Sequence, residues 1–143
     1  MKGQPVPDND HVARYCKPSA VVEGEIQATA FMTRQDEEYL SVNWLEELKC
    51  PDRASEIHEL QGLYRRKFNR VAATARIAIL NVGTVLASVS RESPDQRLLR
   101  ILHEPITTPA DPSHAGIYNI PSDDEIIAEL ITKVVQEKHP ARS

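Results

Sequence analysis

The sequence predicts an α+β fold: a mixed or mainly antiparallel sheet of about five strands with two principal helices. Three observations lead there. Short runs rich in β-branched and aromatic residues, at 11–16, 39–45, 72–82 and 98–103, are separated by Gly, Pro and charged turn signals. Apolar residues Ile57, Leu60, Tyr64 and Phe68 recur three and four apart, the spacing of one helix face. A broad aliphatic stripe follows Ser122 and its acidic neighbours near the C-terminus.

In chain order, residues 1–10 carry Gly3, Pro5, Pro7 and polar side chains, the chemistry of a flexible N-terminal arm, leaving 11–143 as a single α+β domain. A first strand is expected at 11–16. Val21 and Val22 read as a strand end before a turn at Glu23-Gly24. The stretch 25–45 is the expected centre of the core, because it holds the one Trp, Trp44, and one of the two Phe. Ile26, Ala28, Ala30 and Met32 alternate with period two, the charged residues 35–38 interrupt, and 39–45 resumes the apolar pattern. The expectation is two strands paired as a hairpin.

Asp52 stands where a helix cap belongs, ahead of the face formed by Ile57, Leu60, Tyr64 and Phe68. Glu56 and Glu59 come early in that helix and Arg65, Arg66, Lys67 and Arg70 late, an order that suits the macrodipole. The basic end reads either as a docking patch for an acidic partner or phosphate, or as ordinary helix-end charge. The run 72–82 suits a strand buried on both faces, interior to the sheet. Residues 84–90 fit a strand or a short helix equally. A strand at 98–103 stops at Glu104-Pro105, and 107–113 is a Pro-rich connector expected on the surface. Gly116, inside the short segment 114–120, marks a bulge or a close approach. Ser122 with Glu125 reads as a capping box, opening a helix that ends near Lys138 and whose stripe of Ile126, Ile127, Leu130, Ile131, Val134 and Val135 must be buried, on the sheet by preference or else against a partner chain.

Composition narrows the function. Seventeen basic and 21 acidic side chains leave a net charge of −4, which argues against a general grip on nucleic acid and favours a protein or a small molecule as partner. Two cysteines and no apolar leader point to the reducing cytoplasm, and no run of about 20 apolar residues exists to span a membrane. G-x-G-x-x-G, G-x-x-x-x-G-K-[ST], C-x-x-C and H-E-x-x-H are all absent, so no cofactor is expected. No metal is expected either, since Cys16 and Cys50 lack ligand spacing with His11 and His58. One constellation has chemistry to offer: His11, Arg14, Ser41 and His114 are polar groups set in or beside three apolar segments. If those segments are neighbours, Arg14 clamps a phosphate or carboxylate, Ser41 donates to it, and a histidine serves as acid or base. The bland alternative is that each caps its own strand end.

The succession His11-x-x-Arg14, Ala30-Phe31, Leu40-Ser41-Val42 and Pro112-x-His114-Ala115-x-Ile117 resembles a loose family of small bacterial proteins in which AF, LSV and PxHAxI recur in that order. The resemblance covers roughly residues 11–120. It implies a bacterial source and a shared scaffold, with a place as an accessory of a phage-defence (including CRISPR-type) or mobile-element locus, and brings no activity or catalytic residue with it. The expected function is a non-enzymatic binding or adaptor protein of a bacterial multi-protein system. The alternative is a small enzyme or sensor acting on a phosphate-bearing ligand at the His11/Arg14/Ser41/His114 group.

Overall fold

Period-two alternation along the interior strands builds a sheet with an apolar side chain on each face, and helices cover both. The computed structural model describes residues 2–143, ordered as β1 (His11–Cys16), β2 (Val21–Val22), β3 (Glu25–Ile26), β4 (Tyr39–Trp44), α1 (Arg53–Lys67), β5 (Arg76–Asn81), α2 (Val82–Glu92), β6 (Arg100–His103), β7 (Ile106–Thr107), β8 (Ala110–Asp111), β9 (His114–Tyr118), α3 (Glu125–Lys133) and β10 (Glu137–Pro140). The α+β expectation holds. Among the described residues a fully antiparallel six-stranded sheet runs β10-β5-β1-β4-β9-β6, with β2-β3 and β7-β8 as two small ribbons and three α-helices.

One face carries Val12 and Cys16 of β1, Leu40, Val42 and Trp44 of β4, Ala78 and Leu80 of β5, and Ala115 and Ile117 of β9, all buried with Val85, Val89, Ile127 and Ile131 of α2 and α3. The other carries Ala13, Ile77 and Ile79, buried with Ile57, Leu60, Leu63 and Tyr64 of α1. This second cover is partial. It spans β5 and β1, while the α1 side of β4 and β9 carries Tyr39, Ser41, Asn43, His114, Gly116 and Tyr118 instead of an aliphatic layer. Gly116 is required there because the Tyr39 ring occupies the space a Cβ would need.

Several expectations are corrected. Residues 28–31 form a turn of 3-10 helix, so 26–32 and 39–45 make no hairpin, and β4 pairs with β1 and β9. The arm is laid along β6: Gly3 N–H donates to His103 O and Val6 N–H to Ile101 O, with Val6 buried, while residue 1 lies outside the described residues. Residues 84–90 are helical, within α2, whose Asn81 cap accepts from Thr84 N–H. The connector 107–113 turns as the β7-β8 ribbon and buries Asp111 and Ser113.

The last helix is capped by Asp124, which accepts from Ile127 N–H at 2.9 Å, and not by Ser122, which bridges to Thr33. Its stripe packs internally through Ile127 and Ile131, with Leu130, Val134 and Val135 partly buried and Ile126 exposed, but the helix ends at Lys133, and 137–140 pairs with β5 as an edge strand. The reason is an unmet demand elsewhere. Without β10 the outer backbone groups of β5 would be unpaired, whereas the β-branched Val134 and Val135 followed by Pro140 are poor helix continuers and tolerable beside or in an edge.

Candidate functional site

The sheet opens at one place. Strands β1 and β4 are paired at Val12↔Trp44 and Ala13↔Asn43 only, although β1 continues to Cys16 against β5 and β4 begins at Tyr39 against β9. Beyond Ala13 the two strands diverge, and the backbone groups that a continued ladder would pair need other partners. Arg14 of β1 provides one: its Nη1 donates to Ser41 O of β4 at 2.9 Å across the split, while its Nε donates to Ala30 O of the 3-10 turn at 2.8 Å.

The split is the floor of a cavity of about 310 Å³. Buried Ala30, Asn43, Tyr64 and His114 line its depth; Arg14, Tyr15 and Lys67 line its sides; Lys17, Thr29, Arg34, Ser41 and the ring of Phe68 lie toward its rim. Among the described residues it receives four cationic side chains, Arg14, Lys17, Arg34 and Lys67, and no carboxylate. The cavity exists because α1 ends at Lys67, over β1, and leaves the polar face of β4 and β9 uncovered.

Each polar group here has a defined state. Among the described residues Arg14 forms no ion pair, and burial lowers its pKa, with Glu37 acting on it only at longer range. The Tyr64 hydroxyl is buried without a hydrogen-bond partner, and burial raises its pKa far above the ordinary tyrosine value. His114 Nδ1 lies 2.9 Å from Glu104 O. A carbonyl only accepts, so Nδ1 carries the proton and Nε2 of the neutral ring is an acceptor. Burial lowers the His114 pKa and keeps the ring neutral. Asn43 directs its amide nitrogen to Asp111 and to Ser113, both at 2.9 Å, which leaves its amide oxygen as a second acceptor in the floor. Asp111, fully buried, also accepts from Lys67 Nζ at 2.9 Å.

Three of the four residues singled out from the sequence, Arg14, Ser41 and His114, meet in this cavity. His11 does not. Three residues back along an extended strand it lies about 10 Å from Arg14, and its Nδ1 and backbone N–H are both engaged by the Glu46 carboxylate at 2.8 Å. The four basic residues expected at the end of α1 are directed to different places. Lys67 turns into the cavity wall toward Asp111, Arg65 donates to Ser143 Oγ, Arg66 borders a separate cleft beside Glu59, and Arg70 is exposed beyond the helix.

Sequence reasoning missed Lys17, Arg34, Asn43, Tyr64 and Phe68 as cavity residues. Tyr64 and Phe68 were legible as one helix face, and Arg14-x-x-Lys17 as two cations at a strand end; for Arg34, in a charged turn, there was no local signal. The short motifs cited for the family resemblance also meet here, through Arg14, Ala30, Ser41 and His114. Among the described residues no group of three or more His, Cys, Asp or Glu is placed to hold a metal ion, and no helix is long and apolar enough to cross a membrane. Comparison with protein-family models, curated proteins and solved structures found no match.

Proposed function

We propose that the protein binds a small phosphate-bearing ligand in the cleft between β1 and β4, as a binding or sensing protein. The observation that carries this reading is the Arg14 guanidinium, a half-buried charge held by two carbonyl oxygens and facing a cavity without a carboxylate. A charge withdrawn from water without a counter-ion costs free energy, and an anion entering the cleft supplies one. Lys17 and Arg34 at the rim concentrate anions there on a chain whose net charge is −4. The volume lies at the low end of the range of about 300–1,000 Å³ for small-molecule sites. The aliphatic stripe of α3, a surface that could also serve a protein partner, packs largely inside the domain and leaves Ile126 53 % exposed.

The test is thermal denaturation and calorimetric titration with orthophosphate, pyrophosphate and mononucleotides. A ligand present at 100 times its dissociation constant adds about 2.7 kcal/mol to stability. The expected result is a shift for the wild type, lost in Arg14→Gln and reduced in Arg34→Gln, whose exposed side chain makes no structural contact at risk. Binding unchanged in both variants, or absent for every phosphate compound, overturns the proposal.

A further inference from the structure

The phosphate reading leaves half of the cavity unexplained, because phosphate has no use for a flat apolar wall or for hydrogen-bond acceptors. Phe68 is 37 % exposed at the rim, although it belongs to a three-ring cluster in which its centroid lies 4.6 Å from that of Tyr15 and 5.9 Å from that of Tyr64. A large aromatic ring left partly in water beside a cationic cavity offers apolar ring surface to a planar group. The floor asks for something else. His114 Nε2 and the Asn43 amide oxygen accept, no described residue donates to either, and the Tyr64 hydroxyl is buried without a partner. Acceptors lining the cavity disfavour an anion beside them and favour N–H or O–H donors, while the Tyr64 hydroxyl can pair with either.

We infer that the ligand is a mononucleotide, with its phosphate on Arg14 and the rim cations, its base against Phe68, and sugar hydroxyls or amino groups meeting the His114 and Asn43 acceptors. The inference rests on the phosphate reading and narrows it. A sugar phosphate meets the cations and the acceptors but leaves the ring wall bare; a nucleoside meets the ring wall and the acceptors but leaves Arg14 unpaired. Only a molecule with an anionic end, a flat ring and several donors uses all three surfaces, and a cavity of about 310 Å³ admits one such unit rather than a polymer.

Calorimetric titration of the full chain with the four ribonucleoside 5′-monophosphates, ribose 5-phosphate, orthophosphate and adenosine tests this. The expected result is that at least one mononucleotide binds about tenfold or more tightly than ribose 5-phosphate, the size of one base-on-aromatic stack. Phe68→Ala should erase that advantage while leaving ribose 5-phosphate binding in place. Phe68→Leu, which keeps apolar bulk without a π face, guards against a folding defect and should erase most of it. Arg14→Gln should weaken every phosphate compound alike. If ribose 5-phosphate binds as tightly as all four mononucleotides, or if the nucleotide advantage survives both Phe68 variants, the nucleotide inference is overturned while the phosphate reading stands. If no phosphate compound binds, both fall.

Discussion

Trp44 Nε1 donates to Asp10 Oδ2 at 2.8 Å, so the indole that closes one end of the α2/α3 core is tied to the last residue of the N-terminal segment. The ring meets His103 edge-on with centroids 5.1 Å apart. One aromatic residue therefore joins β4, β6 and the segment laid along the β6 edge.

Trp44→Ala should cost about 3–5 kcal/mol, since it removes a large side chain that is only 8 % exposed. Asp10→Ala should cost less, about 1–3 kcal/mol, by leaving the indole N–H without its acceptor. Urea denaturation measures both. A loss below about 1 kcal/mol for Trp44→Ala would mean that the core closes without the indole.

Much of the fold was legible where a local rule settles it. Alternation at 11–16 and 39–44, and Asp52 ahead of a helical face, each depend on neighbours within a few residues. What was not legible depends on distant partners. The run Ile26, Ala28, Ala30, Met32 alternates largely through alanine, which packs equally well in the 3-10 turn that Arg14 holds beside the β1/β4 split. The strand at 137–140 forms because β5 needs a neighbour, a requirement invisible in its own sequence. At the start of α3, Ser122, Asp123 and Asp124 are all capping residue types, and the Thr33 bridge to Ser122 leaves the cap to Asp124. The cavity follows the same division. Arg14, Ser41 and His114 stood out as polar groups in apolar strands; their convergence with Lys17, Arg34 and Tyr64 comes from the divergence of two strands.

Lys67 distinguishes a structural cation from a docking patch. Its ammonium is 2.9 Å from Asp111, with side-chain exposures of 19 % and 1 %. Lys67→Met leaves a fully buried carboxylate without its counter-ion and should cost about 3–5 kcal/mol. Arg65→Ala, Arg66→Ala and Arg70→Ala should each stay within about 0.5 kcal/mol of wild type. Adding Asp111→Asn to Lys67→Met should recover part of the loss, since the two act on one interaction. Equal stabilities across all four single variants would show that the Lys67–Asp111 pair is solvated.

His114 should give the protein a stability that falls in mild acid. Burial lowers its pKa below the ordinary histidine value; the Glu104 carbonyl bond opposes that and the Lys67 charge adds to it. The unfolded chain therefore takes up this proton more readily than the folded one, with a pKa of about 6.5. The sign follows: the contribution is complete above that value and is lost as the pH falls from there toward the folded pKa, with a slope of at most about 1.4 kcal/mol per pH unit. Asn at this position keeps an N–H near that of Nδ1, preserving the bond to Glu104 O, and does not titrate. Urea midpoints measured between pH 8 and pH 5 should accordingly fall more steeply for wild type than for His114→Asn, the two profiles separating below about pH 6.5. Parallel profiles would mean that the imidazole protonates as easily inside the fold as outside it, and would remove the neutral acceptor from the cavity floor.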